Sequence, residues 1–402
     1  MTPSRPPRPE PSLFCLPMGA VLLAQFLSAF ADNALLIAAI AELKRSARLE
    51  WIPLLQACFV VPFILLAPYV GALADAFPKG RVMLLANAIK LAGAALLALG
   101  LNPLASYAVA GMGAAAYSPA KYGILSQLFG PAKLVKANGM LEGSTIVAIL
   151  SGVMVGGWLA DQSPAHAMAG VIAAYGLAAA FNLLIPRLPP EHPLSRFDAA
   201  GMLREFLASA AILWRDRDAR FSLLGTSLFW GTGTTLRLLL FAWVPVALAI
   251  GDNQTPANLM GLVSLGIVLG AGLAATWVGL ESVNRVLAGG LALGPMILAL
   301  SFQSTLAPSL LLLVGLGMAG GLFIVPLNAL LQARGHASVG AGHALAVQNL
   351  WENAAMFLFV GAYYLAEAAQ TPVRLQVAGF GVAVLIGAGI LARWRQRGPG
   401  PG

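Results

Sequence analysis

The sequence predicts an all-α integral membrane protein, with twelve transmembrane helices in two six-helix halves. Three observations carry this. First, the chain of 402 residues is 59% hydrophobic and only 10% charged, where a soluble domain carries about 25% charged residues. Its mean hydropathy is +0.81. Second, apolar segments near the roughly 20 residues needed to cross a bilayer recur twelve times, separated by short polar breaks. Third, the Lys and Arg residues fall overwhelmingly on one side of such a topology.

In chain order the first half is expected to comprise spans 17–41, 52–74, 81–100, 103–128, 137–159 and 166–186. The first ends before the polar Glu42-Leu43-Lys44-Arg45, and the second ends at Asp75, ahead of Lys79 and Arg81. The third and fourth meet at Asn102-Pro103. The fifth follows Lys133 and Lys136, and the sixth stops at Pro186-Arg187. The second half is expected at 221–250, 257–279, 284–303, 307–333, 340–367 and 373–393. The longest break, 187–220, holds four prolines at or beside it (Pro186, Pro189, Pro190, Pro193) and six arginines. It reads as a linker on the cytoplasmic side, with Gly201–Trp214 able to form an amphipathic surface helix. Residues 1–16 and 394–402 are then cytoplasmic tails, 17–186 and 221–393 the two halves.

With both termini in the cytoplasm, 17 of the 24 Lys and Arg residues lie on that side. Four (Lys44, Arg45, Arg48, Arg374) lie opposite, and three (Lys90, Lys121, Arg237) lie within spans. That asymmetry sets the orientation. Arg5, Arg8, the apolar run and Ala29-Phe30-Ala31 imitate a cleavable signal, but the run continues to Ala41, so an uncleaved first helix is expected. Cys15 and Cys58 have neither disulfide nor metal spacing, and none of the four histidines is deep in a span. No metal and no cofactor is expected, nor a nucleic-acid partner; the chain is expected to be a monomer among membrane lipids.

A weak internal repeat relates the halves. Pro119-Ala120-Lys121 is echoed by Pro326-Leu327-Asn328, Glu142 by Glu352, and Gln127 by Gln332. Two homologous halves with a long linker indicate a transporter whose site lies between them.

Ionisable residues inside spans are costly, so each is a candidate for function. Asp32, beside Asn33, lies mid-depth in the first span, with Gln25 on its face. Arg237 lies mid-depth in the seventh, on a stripe with Thr226, Trp230 and Thr234. Their equivalent places suggest an interdomain ion pair or two halves of one site. Lys121, next to Tyr122 and with Tyr117 and Ser118 on its face, is either a ligand for an anion or a lysine snorkelling to the head groups. Lys90 reads as snorkelling or packing. Glu142 sits with Asn138 and Thr145, and Glu352 with Gln348 and Asn349; these faces serve either a site or interhelical hydrogen bonds. In GALADAFPKGRV, Asp75, Lys79 and Arg81 are conformational candidates, because an acidic residue at a helix end can latch onto a neighbouring helix terminus.

That loop resembles the signature loop of the major facilitator superfamily, with Pro78 in place of the usual glycine. A closer resemblance covers about residues 18–393. The stretches AQFLSAFADNALL, GRVMLLANAIKLAGA, GAAAYSPAKYGIL, KLVKANGMLEGSTI, RFSLLGTSLFWGTG, PLNALLQARG and SVGAGHALAVQNLWENAAM are similar to the bacterial lysophospholipid transporter family. Trp351 and His343 depart from the family pattern. The resemblance implies an inner-membrane protein that flips lysophospholipids such as 2-acyl-glycerophosphoethanolamine inward for reacylation. It also implies functional coupling to a cytoplasmic-side acyltransferase/acyl carrier protein synthetase. Arg237 and Lys121 suit a phosphate, and Asp32 suits an amine or Arg237 itself.

Two other readings are distinct. A proton-coupled exporter of amphipathic drugs would use Asp32, Glu142 or Glu352 as proton carrier. A membrane acyltransferase would be expected to show His and Asp separated by four residues; His192 and Asp198 have five between them and lie in the linker.

Overall fold

The computed structural model describes residues 12–46, 48, 51–192, 198–251 and 254–397. Arg5, Arg8 and Arg196 of the topology count, Pro193, and most of both tails lie outside the described residues. Among the described residues the chain is helical throughout. The helices are α1 (Leu16–Arg45), α2 (Ile52–Leu65), α3 (Ala67–Ala76), α4 (Lys79–Ala98), α5 (Pro103–Leu128), α6 (Pro131–Gln162) and α7 (Pro164–Asn182). There follow α8 (Ala199–Arg215), α9 (Arg217–Ala247), α10 (Gln254–Trp277), α11 (Val286–Ser301), α12 (Leu306–Ala337), α13 (Ala341–Ala368) and α14 (Val373–Gln396). A short 3-10 segment, Leu280–Arg285, leads into α11.

These make twelve spans and one linker helix. The expected second span is two helices, α2 and α3, bent by 65° at Leu66. Pro62 lies inside α2 and Pro68 in the first turn of α3. Each lacks an N–H and its ring collides with the preceding turn, so the helix breaks there. The linker helix α8 starts on Asp198, whose carboxylate accepts from Ala200 N–H at 3.2 Å. It buries Met202, Phe206 and Leu213 on one face while Glu205 and Arg215 stay exposed.

Among the described residues, eight helices are long and apolar enough to cross a membrane, or nine if α2 and α3 count as one span. The long helices that fall short are α5, α9 and α13, which carry Lys121, Arg237 and Glu352. Two of them, α5 and α13, meet across the contact between halves. There α13 packs on α3 and α5, while α6 packs on α10 and α12.

Small residues let these helices approach closely. The α10–α12 contact is glycine on glycine: Gly266 and Gly270 face Gly317 and Gly321. A Cβ on Gly321 would run into the Ile267 carbonyl and come within 2.8 Å of Ala271 N, both of them backbone atoms. Gly321→Leu is therefore expected to cost about 3 kcal/mol or more, the upper range of overpacking, and to remove most protein from the membrane. Gly272→Leu, which meets nothing within 4 Å, is the control. Membrane abundance and the thermal midpoint in detergent are the measurements; equal loss in both variants would show that the α10–α12 approach is not the cause.

Candidate functional site

Three polar constellations interrupt the apolar packing. The first is wholly within the first half. Asp32 on α1 pairs with Lys90 on α4, Oδ2 to Nζ, at 2.8 Å. Its other oxygen accepts from the Tyr175 hydroxyl of α7 at 2.7 Å. Lys90 also donates to Ser28 Oγ at 2.9 Å, and Ser28 donates to Asn87 Oδ1 at 2.7 Å. The ammonium lies 4.8 Å from the centre of the Tyr117 ring on α5. The α1 residues Ser28 and Asp32 are four apart, so they share a face, and α4 supplies Asn87 and Lys90 with the three-residue spacing of a helix.

This corrects one expectation and narrows another. Asp32 does not pair with Arg237, and of the two readings of Lys90, snorkelling or packing, the structure shows packing. Lys90 is 2% exposed and completes a buried ion pair. Equivalence of position in the two halves does not place two side chains together; the direct packing of α1 beside α4 and α7 does. Arg237 is exposed and has no ion pair or hydrogen bond among the described residues. Asn33 donates to its own helix, to the Ala29 carbonyl at 2.8 Å.

The second constellation crosses between the halves. Tyr122 on α5 donates to Glu142 Oε1 on α6 at 2.6 Å. The same oxygen accepts from Asn328 Nδ2 on α12 at 3.1 Å. Gln348 on α13 then donates to Asn328 Oδ1 and to Glu352 Oε1, both at 2.7 Å. Alongside, Asn138 and Gln332 exchange amide hydrogen bonds at 2.9 and 2.7 Å, and Asn349 donates to Ser118 at 3.2 Å. The expected residues Tyr122, Glu142, Gln348 and Glu352 thus form one chain of contacts. Asn328, seen in the sequence only as an echo of Lys121, is its central member, and Gln332, seen only as an echo of Gln127, pairs with Asn138 beside it.

Lys121 stands beside this chain and outside it. Its side chain is buried, and its ammonium lies 4.2 Å from the centre of the Tyr122 ring. Among the described residues no carboxylate or carbonyl accepts a hydrogen bond from it. Glu142 and Glu352 lie near enough to act on its charge, but its N–H groups reach no hydrogen-bonded acceptor.

The third constellation closes one end of the contact. Asp75, at the end of α3, accepts from the N–H groups of Gly342 at 2.7 Å and His343 at 3.0 Å. It also meets His343 Nδ1 at 2.8 Å and Lys79 Nζ at 3.0 Å. Glu191 of the linker accepts from Ala341 N–H at 3.0 Å and Gln127 at 2.9 Å, and lies 3.2 Å from Lys79 and 3.3 Å from His336. Two carboxylates therefore cap the N-terminus of α13, where unsatisfied N–H groups and the helix dipole favour negative charge. Burial alone would push the Glu191 carboxyl up. The His336 hydrogen bond, the Lys79 charge and the Ala341 N–H outweigh it and hold the carboxyl below the ordinary glutamate range.

Gly340 makes this possible. It turns the chain with φ +96°, and a Cβ there would collide with the Asp75 carboxylate. Arg81, expected in this cluster, is exposed and has no partner among the described residues. Glu191, His336 and His343 were not legible as members, since a loop glutamate and terminal histidines carry no burial cost in sequence. Among the described residues, Asp75, Glu191 and His192 come close enough to suggest a metal site. The oxygens of Asp75 and Glu191 are already taken by α13, Lys79 and the histidines.

Residues 21–360 match the Major Facilitator Superfamily. A lysophospholipid transporter LplT of Shigella boydii serotype 4 is 52% identical over 387 residues, 96% of this chain and 98% of that protein. The like-named protein of Escherichia coli O139:H28 is 52% identical over the same coverage. Among solved structures, the human organic anion transporter MFSD10 superposes with a TM-score of 0.76 at 19% identity, over 94% of this chain and 99% of that one. The E. coli fucose:proton symporter FucP does so at 0.74 and 14%, over 96% and 100%. At such identities the structural likenesses show the fold alone.

Proposed function

This chain belongs to the lysophospholipid transporter family of the major facilitator superfamily, and on that premise we propose that it flips lysophospholipids inward across a bacterial inner membrane by alternating access. Both termini face the cytoplasm in this reading, the protein works as a monomer, and a cytoplasmic-side acyltransferase/acyl carrier protein synthetase reacylates what it delivers. The observation that supports it most is Lys121. A buried ammonium without a protein acceptor, next to the polar chain that joins the halves, suits a phosphate arriving from outside. Arg237, exposed and unpaired on α9, supplies a second cation when the halves rearrange.

The test is reconstitution in liposomes with labelled lysophosphatidylethanolamine and its diacyl counterpart. Inward movement of the lysolipid alone is expected; equal movement of diacyl lipid would overturn the substrate class. In the same assay, Lys121→Ala is expected to lower lysolipid movement about tenfold or more, the worth of one charge-assisted contact, at unchanged abundance. A variant as active as wild type would return Lys121 to a packing role.

The exporter reading has one observation in its favour. Glu142 and Glu352 are buried with only neutral hydrogen-bond partners, as a proton carrier would be. Lysolipid uptake that persists after collapse of the proton gradient eliminates it.

A further inference from the structure

A groove of about 470 Å³ opens on the outer side of the second half, between α9, α13 and α14. Apart from Trp214 of the linker helix, the residues that line it belong to the second half. Its floor and walls are apolar: Leu224, Leu228, Phe359 and Leu391 are among the residues that line it. One end is different. There Arg220, in the first turn of α9, lies flat on Trp394 with its guanidinium carbon 4.4 Å from the ring centre. Trp214, stacked at 4.8 Å on Trp351, borders the same end.

Three nearby arginines are engaged. Arg217 donates to the carbonyls of Trp394 and Arg395, while Arg334 and Arg395 share the Asp218 carboxylate. Arg220 is not: its Nε is buried and has no acceptor. Deeper in the groove the hydroxyl of Ser227, 7% exposed, has no partner either. Leu228 sits eight residues beyond Arg220, about 12 Å further along the helix.

We propose that this groove is a lateral binding site for a lipid with one acyl chain and a phosphate, a lysophospholipid, at the leaflet facing the Lys- and Arg-rich end. The phosphate meets Arg220, whose planar fork is held ready by Trp394. The chain lies along Leu224 and Leu228 towards Phe359. Gly387 and Leu228 meet along the groove, a built Cβ on Gly387 lying 3.4 Å from Leu228 Cδ1, and a single chain is the occupant assigned to it. α9 is the wall shared with the central polar chain, since Ser222 on it bonds to the Leu327 carbonyl beside Asn328. The groove is thus placed to receive lipid leaving the centre for the leaflet. This role rests on the function proposed above.

The test uses the full-length protein in nanodiscs and a lysophosphatidylethanolamine carrying a photoreactive diazirine in mid-chain. Adducts are mapped by peptide mass spectrometry. Labelling is expected at 224–228, 355–359 and 387–391, reduced about tenfold by Arg220→Gln, the affinity carried by one charge-assisted contact. Gly387→Leu, which fills the groove, should reduce it as much. No enrichment over other lipid-facing segments, or labelling indifferent to both substitutions, overturns the site. Equal labelling by a diacyl probe overturns its single-chain character. Because labelling is read without transport, a labelled groove in a protein that moves no lysolipid refutes the proposed function and not the site; transport without labelling does the reverse.

Discussion

Lys90→Ala is expected to destabilise the protein by about 3–5 kcal/mol, because it strands the Asp32 carboxylate among α1, α4 and α7. The effect should fall in the lower part of that range, since Asp32 is 18% exposed and keeps the Tyr175 hydroxyl. Asp32→Ala is the worse of the two single changes: Lys90 is 2% exposed and would retain only Ser28 and the Tyr117 ring. Membrane abundance and thermal midpoint in detergent are the readouts. The exchange Asp32→Lys with Lys90→Asp should recover much of the lost stability. By contrast, exchanging Asp32 with Arg237 should recover nothing, because those side chains are not partners. Arg237→Ala should leave abundance near wild type and depress lysolipid uptake. Normal stability in both Lys90→Ala and Asp32→Ala would show that this ion pair does not support the first half.

Asp75→Asn is expected to unlatch the end of the molecule where α3 meets α13. The carboxylate accepts from two backbone N–H groups, His343 and Lys79. An amide keeps one acceptor oxygen and turns an NH2 towards donors that need an acceptor. Hydrogen bonds to a charged group contribute about 1.5–3 kcal/mol each, so losing even one shifts the open-to-closed ratio of this end by roughly ten- to a hundredfold. The readout is alkylation of a cysteine at Ala346, in a background lacking Cys15 and Cys58. Ala346 is fully buried and lies against Gly71 across the contact, so it reacts only when the end opens. Alkylation should accelerate, and transport should slow while lysolipid binding at equilibrium is retained. An unchanged alkylation rate would remove Asp75 from any latch.

Much of this was legible in the sequence because it depends on neighbours along the chain. Twelve apolar stretches and the amphipathic run ahead of Arg215 follow from composition within a helix length. The burial cost of a charge singled out Asp32, Lys121, Arg237, Glu142 and Glu352 wherever they would end up. Even the contact of Asp75 with the N-terminus of α13 could be read, since an acidic residue at a helix end is favoured beside a neighbouring helix's N-terminus. The break at Leu66 was less plain, because Pro62 and Pro68 each fit a continuous span if a neighbouring helix absorbs the freed carbonyls.

Partnership could not be read this way. Asp32 and Lys90 lie 58 positions apart, and Asp32 and Tyr175 lie 143 apart. What joins them is the choice of α4 and α7 as neighbours of α1. Asn328 and Gln348 became the bridge between Glu142 and Glu352 for the same reason. The chain's own chemistry therefore determined which residues had to find a partner or a ligand. Only the packing of helices decided which, because a hydrogen bond is made within about 3 Å and the sequence carries no distances across the bilayer.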